Sequence, residues 1–237
     1  HRGRYLDFFI FQISTSHVNR QWERMWRRVL PCVPDSQFWK KLLYVNQLFP
    51  RHGDHKIPLR EHNVTLETWR AHLRDPGAGL IDVFNEQLRP VLKNSNPNIF
   101  FNAEEEKHGE GVLESLGIPN DKPYICFHTR DSAYLDTVMK TIDWSYHNYR
   151  DSSIRNYIPA ADEMANRGYC AVRMGAVVKE GIRSTHPRVI DYATSGNRTD
   201  FSDIYIGSHC RFFLTSDAGL AIIHSSARTR HCSKPKR

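Results

Sequence analysis

The stretch Tyr124-Ile-Cys-Phe-His-Thr-Arg-Asp131 constrains the fold more than any other. An unbroken apolar run begins directly after Lys122-Pro123 and ends in His128, Arg130 and Asp131. A continuous apolar run is buried on both faces, as strands are in a parallel sheet covered by helices. Polar residues at its carboxyl end then lie where open α/β sheets bind ligands. Residues two apart on a strand share a face, so His128 and Arg130 are expected to point the same way, with Asp131 just beyond. A guanidinium fork beside a second basic donor suits the oxygens of a diphosphate. The plainer alternative is a strand end whose Arg130 pairs with Asp131.

The rest of the chain alternates in the same way. Tyr5 to Ile13 reads as a strand. Val18, Trp22, Met25, Trp26 and Val29 then recur at helical spacing, with arginines mostly on the other face. Val29 to Val33 predicts a second short strand. Phe38, Leu42, Val45 and Phe49 mark a helix, followed by a loop to Pro58 and helices near 65–73 and 80–88. Asn102 to Leu116 is expected to be helical, with Gly117 as its C-cap. Beyond the opening stretch, Lys140 to Asp151 is polar and aromatic, either a lid or acceptor surface or an ordinary long loop. Ser152 or Ser153 is expected to cap a helix with Ile154, Tyr157, Ile158, Ala161 and Met164 on one face. Tyr169 to Gly175, Arg188 to Ala193 and Arg211 to Ser216 are expected strands, with a helix capped by Asp200 between the last two.

Strands alternating with helices at this spacing predict crossovers and a parallel sheet. Its carboxyl edge would gather Arg130-Asp131, Met174-Gly175, Asp191 and Ser216-Asp-Ala-Gly219. Gly175 and Gly219 permit close backbone approach. The segment Ser216 to Gly219 precedes a helix start at Leu220, so its N–H groups are placed to hold a phosphate.

Composition sets the outer bounds. A chain of 237 residues with 40% hydrophobic content supports one large domain or two modest ones. Pro119 to Pro123 is the best boundary. No apolar run approaches the roughly 18 residues of a membrane span, and no secretory leader is read at the start. Of the net charge of +7, five come from Arg228, Arg230, Lys234, Lys236 and Arg237, with no acid after Asp217. Such a basic tail reads as a solvated end, not a nucleic-acid surface. The five cysteines form no Cys-x-x-Cys pair, which fits a reduced, cytoplasmic setting. Neither they nor His52 and His55 suggest a metal site. No Gly-x-Gly-x-x-Gly follows an expected strand, which disfavours a dehydrogenase.

The string His128-x-Arg130-Asp131-Ser-Ala-Tyr134-Leu resembles the opening motif of a group of bacterial glycosyltransferases related to fucosyltransferase-like GT-B enzymes. His147-Asn-Tyr-Arg150, Tyr157-Ile-Pro159, Arg173-Met-Gly175, Ile190-Asp-Tyr192 and Asp200-Phe-Ser-Asp-Ile-Tyr205 are similar to that group as well. The resemblance covers Asn102 to Gly219 and, loosely, the Asn19 to Leu30 helix. It implies an α/β fold of GT-B type, two Rossmann-like lobes with parallel sheets, truncated here at both ends. Residues 1–120 would form an incomplete acceptor-side lobe. Residues 121–237 would form the nucleotide-sugar-binding lobe, with a disordered basic tail from about 225.

The implied activity is transfer of a sugar from a nucleotide diphosphate donor to a glycan or lipid-linked acceptor in surface polysaccharide synthesis. The alternative is a degenerate, non-catalytic nucleotide-sugar-binding domain. No cofactor, metal or nucleic acid is implied, and a lipid-linked acceptor leaves room for peripheral membrane contact. In such enzymes Arg130 would stabilise the leaving β-phosphate and His128 would assist it. Asp131 would activate the acceptor hydroxyl or orient Arg130. Tyr134, Arg173 and Gly175 would line the donor pocket. Asp200 and Asp203 would hold ribose or base, or cap a helix. Ser216 and Gly219 would contact phosphate.

Overall fold

The computed structural model describes residues 9–10, 19–34, 36–39, 41, 99–138, 140, 143–216, 220 and 223–224. The part of the expected Phe38–Phe49 helix from Leu42 onward, the expected helices at 65–73 and at 80–88, the tail from 225, and Gly219 lie outside the described residues. Contacts divide the chain into one unit of 1–33 with 97–237 and a second of 34–96. In the second unit only a short helical stretch at 37–39 and its immediate flanks are described.

In the first unit, β1 (Phe9–Ile10) pairs in parallel with β2 (Cys32–Val33), joined through α1 (Arg20–Arg27). The expected strand–helix–strand order at the start is therefore present, though both described strands are short. Then come α2 (Ala103–Ser115), β3 (Tyr124–His128), α3 (Ala133–Val138), α4 (Ile158–Asn166), β4 (Cys170–Arg173), β5 (Val189–Asp191), α5 (Asp200–His209) and β6 (Phe213–Thr215). Two 3₁₀ segments, Ser145–Arg150 and Ile154–Tyr157, precede α4. The four later strands form one wholly parallel sheet in the order β5-β4-β3-β6. The fold is thus α/β with a Rossmann-like parallel sheet.

The apolar run of β3 is buried on both faces because alternate residues meet different helices. Tyr124 and Cys126 pack with Cys170, Val172, Met174, Ile204, Tyr205 and Ile206, the face covered by α5. Ile125 and Phe127 pack with Ile154, Ala161 and Ala171, the face covered by α4. Phe127 is fully buried, and removing such a ring from water stabilises the fold by roughly 1.5–3 kcal/mol.

Local chemistry fixes the helix ends. Asn102 and Glu105 form a reciprocal capping box at the start of α2. Gly117 follows that helix at φ +73°, a backbone that only glycine adopts readily. Gly109 and Gly111 do not interrupt α2. Gly109 is required, because a Cβ there would lie 2.2 Å from the Tyr205 ring of α5. So α2, on the amino-terminal side of the boundary expected at 119–123, packs on the sheet domain.

The α1 helix is tied to the same body. Glu105 accepts from Arg28 at 2.7 and 2.5 Å and from Gln21 at 2.7 Å. Burial alone would raise the Glu105 pKa, but these bonds and the Asn102 N–H outweigh it and hold the carboxyl at about 2.

Candidate functional site

The strand order places the site. From β3 the chain steps to β4 and then β5 on one side, and α5 returns it to β6 on the other side of β3. The direction of winding reverses between β3 and β6. In open α/β sheets the crevice outside the strand ends at such a reversal is where ligands bind. The residues there are His128 at the end of β3 with Thr129 to Asp131 after it, and Thr215-Ser216 at the end of β6.

Arg130 is held on three sides. Its N–H donates to Ser216 Oγ at 3.0 Å, bridging the reversal from one strand end to the other. Its carbonyl accepts from Ser152 N–H at 3.0 Å. Its guanidinium Nη1 pairs with Asp151 Oδ1, with both side chains mostly buried. Thr129 Oγ1 donates to the Ser152 carbonyl at 3.0 Å, closing the node. Arg130 therefore pairs with Asp151, where the sequence offered Asp131. Thr129 and Asp151 were not singled out from the sequence, and Ser152 only as a helix cap. Asp151 lies 21 residues beyond Arg130, at the end of the polar aromatic stretch, and nothing local marks it as a partner.

His128 Nδ1 lies 3.0 Å from the Met174 carbonyl. A carbonyl only accepts, so Nδ1 carries the proton. Burial lowers the His128 pKa, against smaller upward pulls from that bond and from Asp131. The ring is therefore neutral at pH 7 and adds no positive charge to the site. Both Asp131 oxygens are engaged by backbone: Oδ1 accepts from Ala133 N–H at 2.9 Å and Oδ2 from Lys179 N–H at 3.1 Å. Asp131 caps the turn into α3 and ties it to the loop after β4. Tyr134 lies in the first turn of α3, half-buried, directly after that turn.

The end of β4 is built differently. Arg173 is 1% exposed. Its Nη1 donates to the Glu180 carbonyl at 2.5 Å and lies 3.4 Å from Asp191 Oδ2, which also accepts from Ile182 N–H at 3.0 Å. Arg173 therefore fastens the 176–182 loop to the sheet from inside. The space over Gly175 is filled by protein: a Cβ there would sit 2.7 Å from Val178 Cγ1 and 3.4 Å from Ala193 Cβ.

Asp200 and Asp203 lie in the first turn of α5. Thr199, not Asp200, caps that helix, accepting from Ser202 N–H. Asp200 instead accepts from Arg20 N–H at 2.9 Å, closing the first turn of α1. Asp203 is buried, accepting from Tyr192 Oη at 3.0 Å and Arg198 at 2.7 Å. Burial pushes its carboxyl up to about 6, despite the opposing pull of Arg198.

Of the expected site residues, then, His128, Arg130, Asp131 and Ser216 come together at the reversal. Arg173, Gly175, Asp200 and Asp203 take part in internal packing and pairing. Among the described residues, no three His, Cys, Asp or Glu side chains gather as a metal site, and no helix is long and apolar enough to cross a membrane. The chain matches no protein-family model, no curated protein and no solved structure significantly.

Proposed function

We propose that this chain binds the diphosphate of a nucleotide sugar at the β3–β6 reversal and belongs to a glycosyltransferase of GT-B type. The reaction would transfer the sugar to a glycan or lipid-linked acceptor. The observation that carries this reading is the fixing of Arg130 across the winding reversal by Ser216 Oγ and Ser152 N–H. A cation held by its backbone, at the sheet edge where ligands bind, is pre-organised for an anion. In this reading Arg130 stabilises negative charge growing on the departing diphosphate, a contribution of about 3–4 kcal/mol when one such donor is lost. His128, neutral, shapes the crevice wall, and Ser216 sets the position of the Arg130 backbone.

One observation favours a second reading, nucleotide-sugar binding without turnover. Both Asp131 oxygens already accept backbone N–H groups, so that carboxylate is committed to structure, not to deprotonating an acceptor.

Calorimetric titration with GDP, UDP, ADP and CMP, on this chain and on Arg130→Ala, tests the proposal. Binding of one diphosphate that Arg130→Ala loses supports it and names the base. No binding to a demonstrably folded chain overturns it. Release of diphosphate from the matching nucleotide sugar then separates transferase from binding domain.

A further inference from the structure

We infer that Asp151 is the positioning residue for Arg130, and that it acts through its hydrogen-bond acceptor, not through its negative charge. The inference deepens the proposed diphosphate site and rests on that reading for its ligand, but not for its geometry.

The 3₁₀ segment Ser145–Arg150 ends at Asp151, whose backbone is extended at φ −72°, ψ 143°. Asp151 N–H donates to the Asn148 carbonyl at 3.0 Å. The next residue, Ser152, is docked twice, through its N–H on the Arg130 carbonyl and its carbonyl under Thr129 Oγ1. The Asp151 side chain thus leaves a backbone already fixed against the strand end it serves. It meets Arg130 Nη1 through Oδ1, with the two side chains 19% and 12% exposed.

An arginine side chain carries about 2 kcal/mol of rotamer entropy. A fixed acceptor on one nitrogen selects a single rotamer before any ligand arrives, which is the economy of pre-organisation. The negative charge of that acceptor works the other way, because it repels an incoming phosphate. The two effects can be separated: asparagine keeps an acceptor oxygen in the same place and removes the charge, whereas alanine removes both.

The test uses the full chain with inorganic pyrophosphate as the probe, measured by calorimetry. Asp151→Ala is expected to weaken binding about tenfold or more, the size of one charge-assisted hydrogen bond. Asp151→Asn is expected to bind as tightly as the parent or more tightly. Equal binding by the parent and Asp151→Ala would overturn the inference, as would equal losses in both variants.

A second readout needs no ligand. Modification of Arg130 by phenylglyoxal, followed by peptide mass spectrometry, should be slow in the parent and Asp151→Asn and fast in Asp151→Ala. If the parent binds no pyrophosphate, the phosphate reading fails, and the labelling rates alone decide the Asp151 inference. Equal rates in all three proteins would overturn it. Should Asp151→Ala not fold, Asp151→Glu takes its place. It displaces the oxygen by one methylene, and faster labelling than in the parent is again expected.

Discussion

Two neighbouring strands of one sheet each end near an arginine, and the two arginines are built to different purposes. Arg173, the last residue of β4, turns inward, is 1% exposed and spends its donors on Glu180 O and Asp191. Arg130, just past β3, is fastened by its backbone to Ser216 and meets a carboxylate from a surface segment. Strand order explains the contrast. β4 lies between β5 and β3, where winding continues in one direction and the loop above folds back over the strand end. β3 borders β6, where winding reverses, the position at which open α/β sheets bind ligands. In the proposed reading, a strand-end arginine signals a ligand only where the winding reverses.

The contrast is easiest to break at Arg173. Arg173→Ala leaves the half-buried Asp191 without its cation and empties a fully buried position, and is expected to cost about 3–5 kcal/mol, read as a lowered denaturation midpoint with unchanged denaturant slope. A loss under 1 kcal/mol would make Arg173 dispensable and reopen a ligand role for it.

A second ion pair, with a buried carboxylate, sharpens the point. Asp203 has a folded-state pKa raised from 3.8 to about 6 by burial. The folded protein therefore takes up this proton before the unfolded chain does. The contribution of this group to stability should rise as the pH falls from about 6 to about 4, by on the order of 2–3 kcal/mol. Asp203→Asn should flatten stability against pH across that window. An unchanged slope would assign the effect elsewhere.

Gly175→Ala sets a Cβ against Val178 and Ala193, an overpacking cost of about 1–3 kcal/mol. Its effect on pyrophosphate affinity should be small, because this position is filled by protein. Smallest is Ser216→Ala. It unpairs the Arg130 N–H and should cost about 1 kcal/mol of stability, while weakening pyrophosphate more than Gly175→Ala does. The reverse order of affinities would move the site to the β4 end.

The sheet was legible in the sequence because its strands are short apolar runs closed by glycine, proline and polar residues. β3, β4 and β6 fall within the stretches expected, as does the helix over 103–115, and the helix expected after Asp200 is present, one residue earlier at its start. The site was legible only in part. His128, Arg130 and Ser216 could be placed at one sheet edge from strand ends alone. Which residue pairs with which could not, because Asp151 reaches Arg130 through tertiary packing and carries no local signature. Nor could the sequence show that Arg173 and Asp203 sit in ion pairs inside the fold. A buried ion pair and a ligand-binding group use the same residue types, and only burial distinguishes them.

The most direct measurement is hydrogen–deuterium exchange of the full chain with and without saturating pyrophosphate. Added protection is expected at Thr129, Arg130 and Ser152, whose backbone or side chains form the node, and along Phe213–Thr215 and Ser216. The 176–182 loop under Arg173 should exchange at an unchanged rate. Protection confined to that loop, or none at either strand end, would contradict a phosphate site at the β3–β6 reversal.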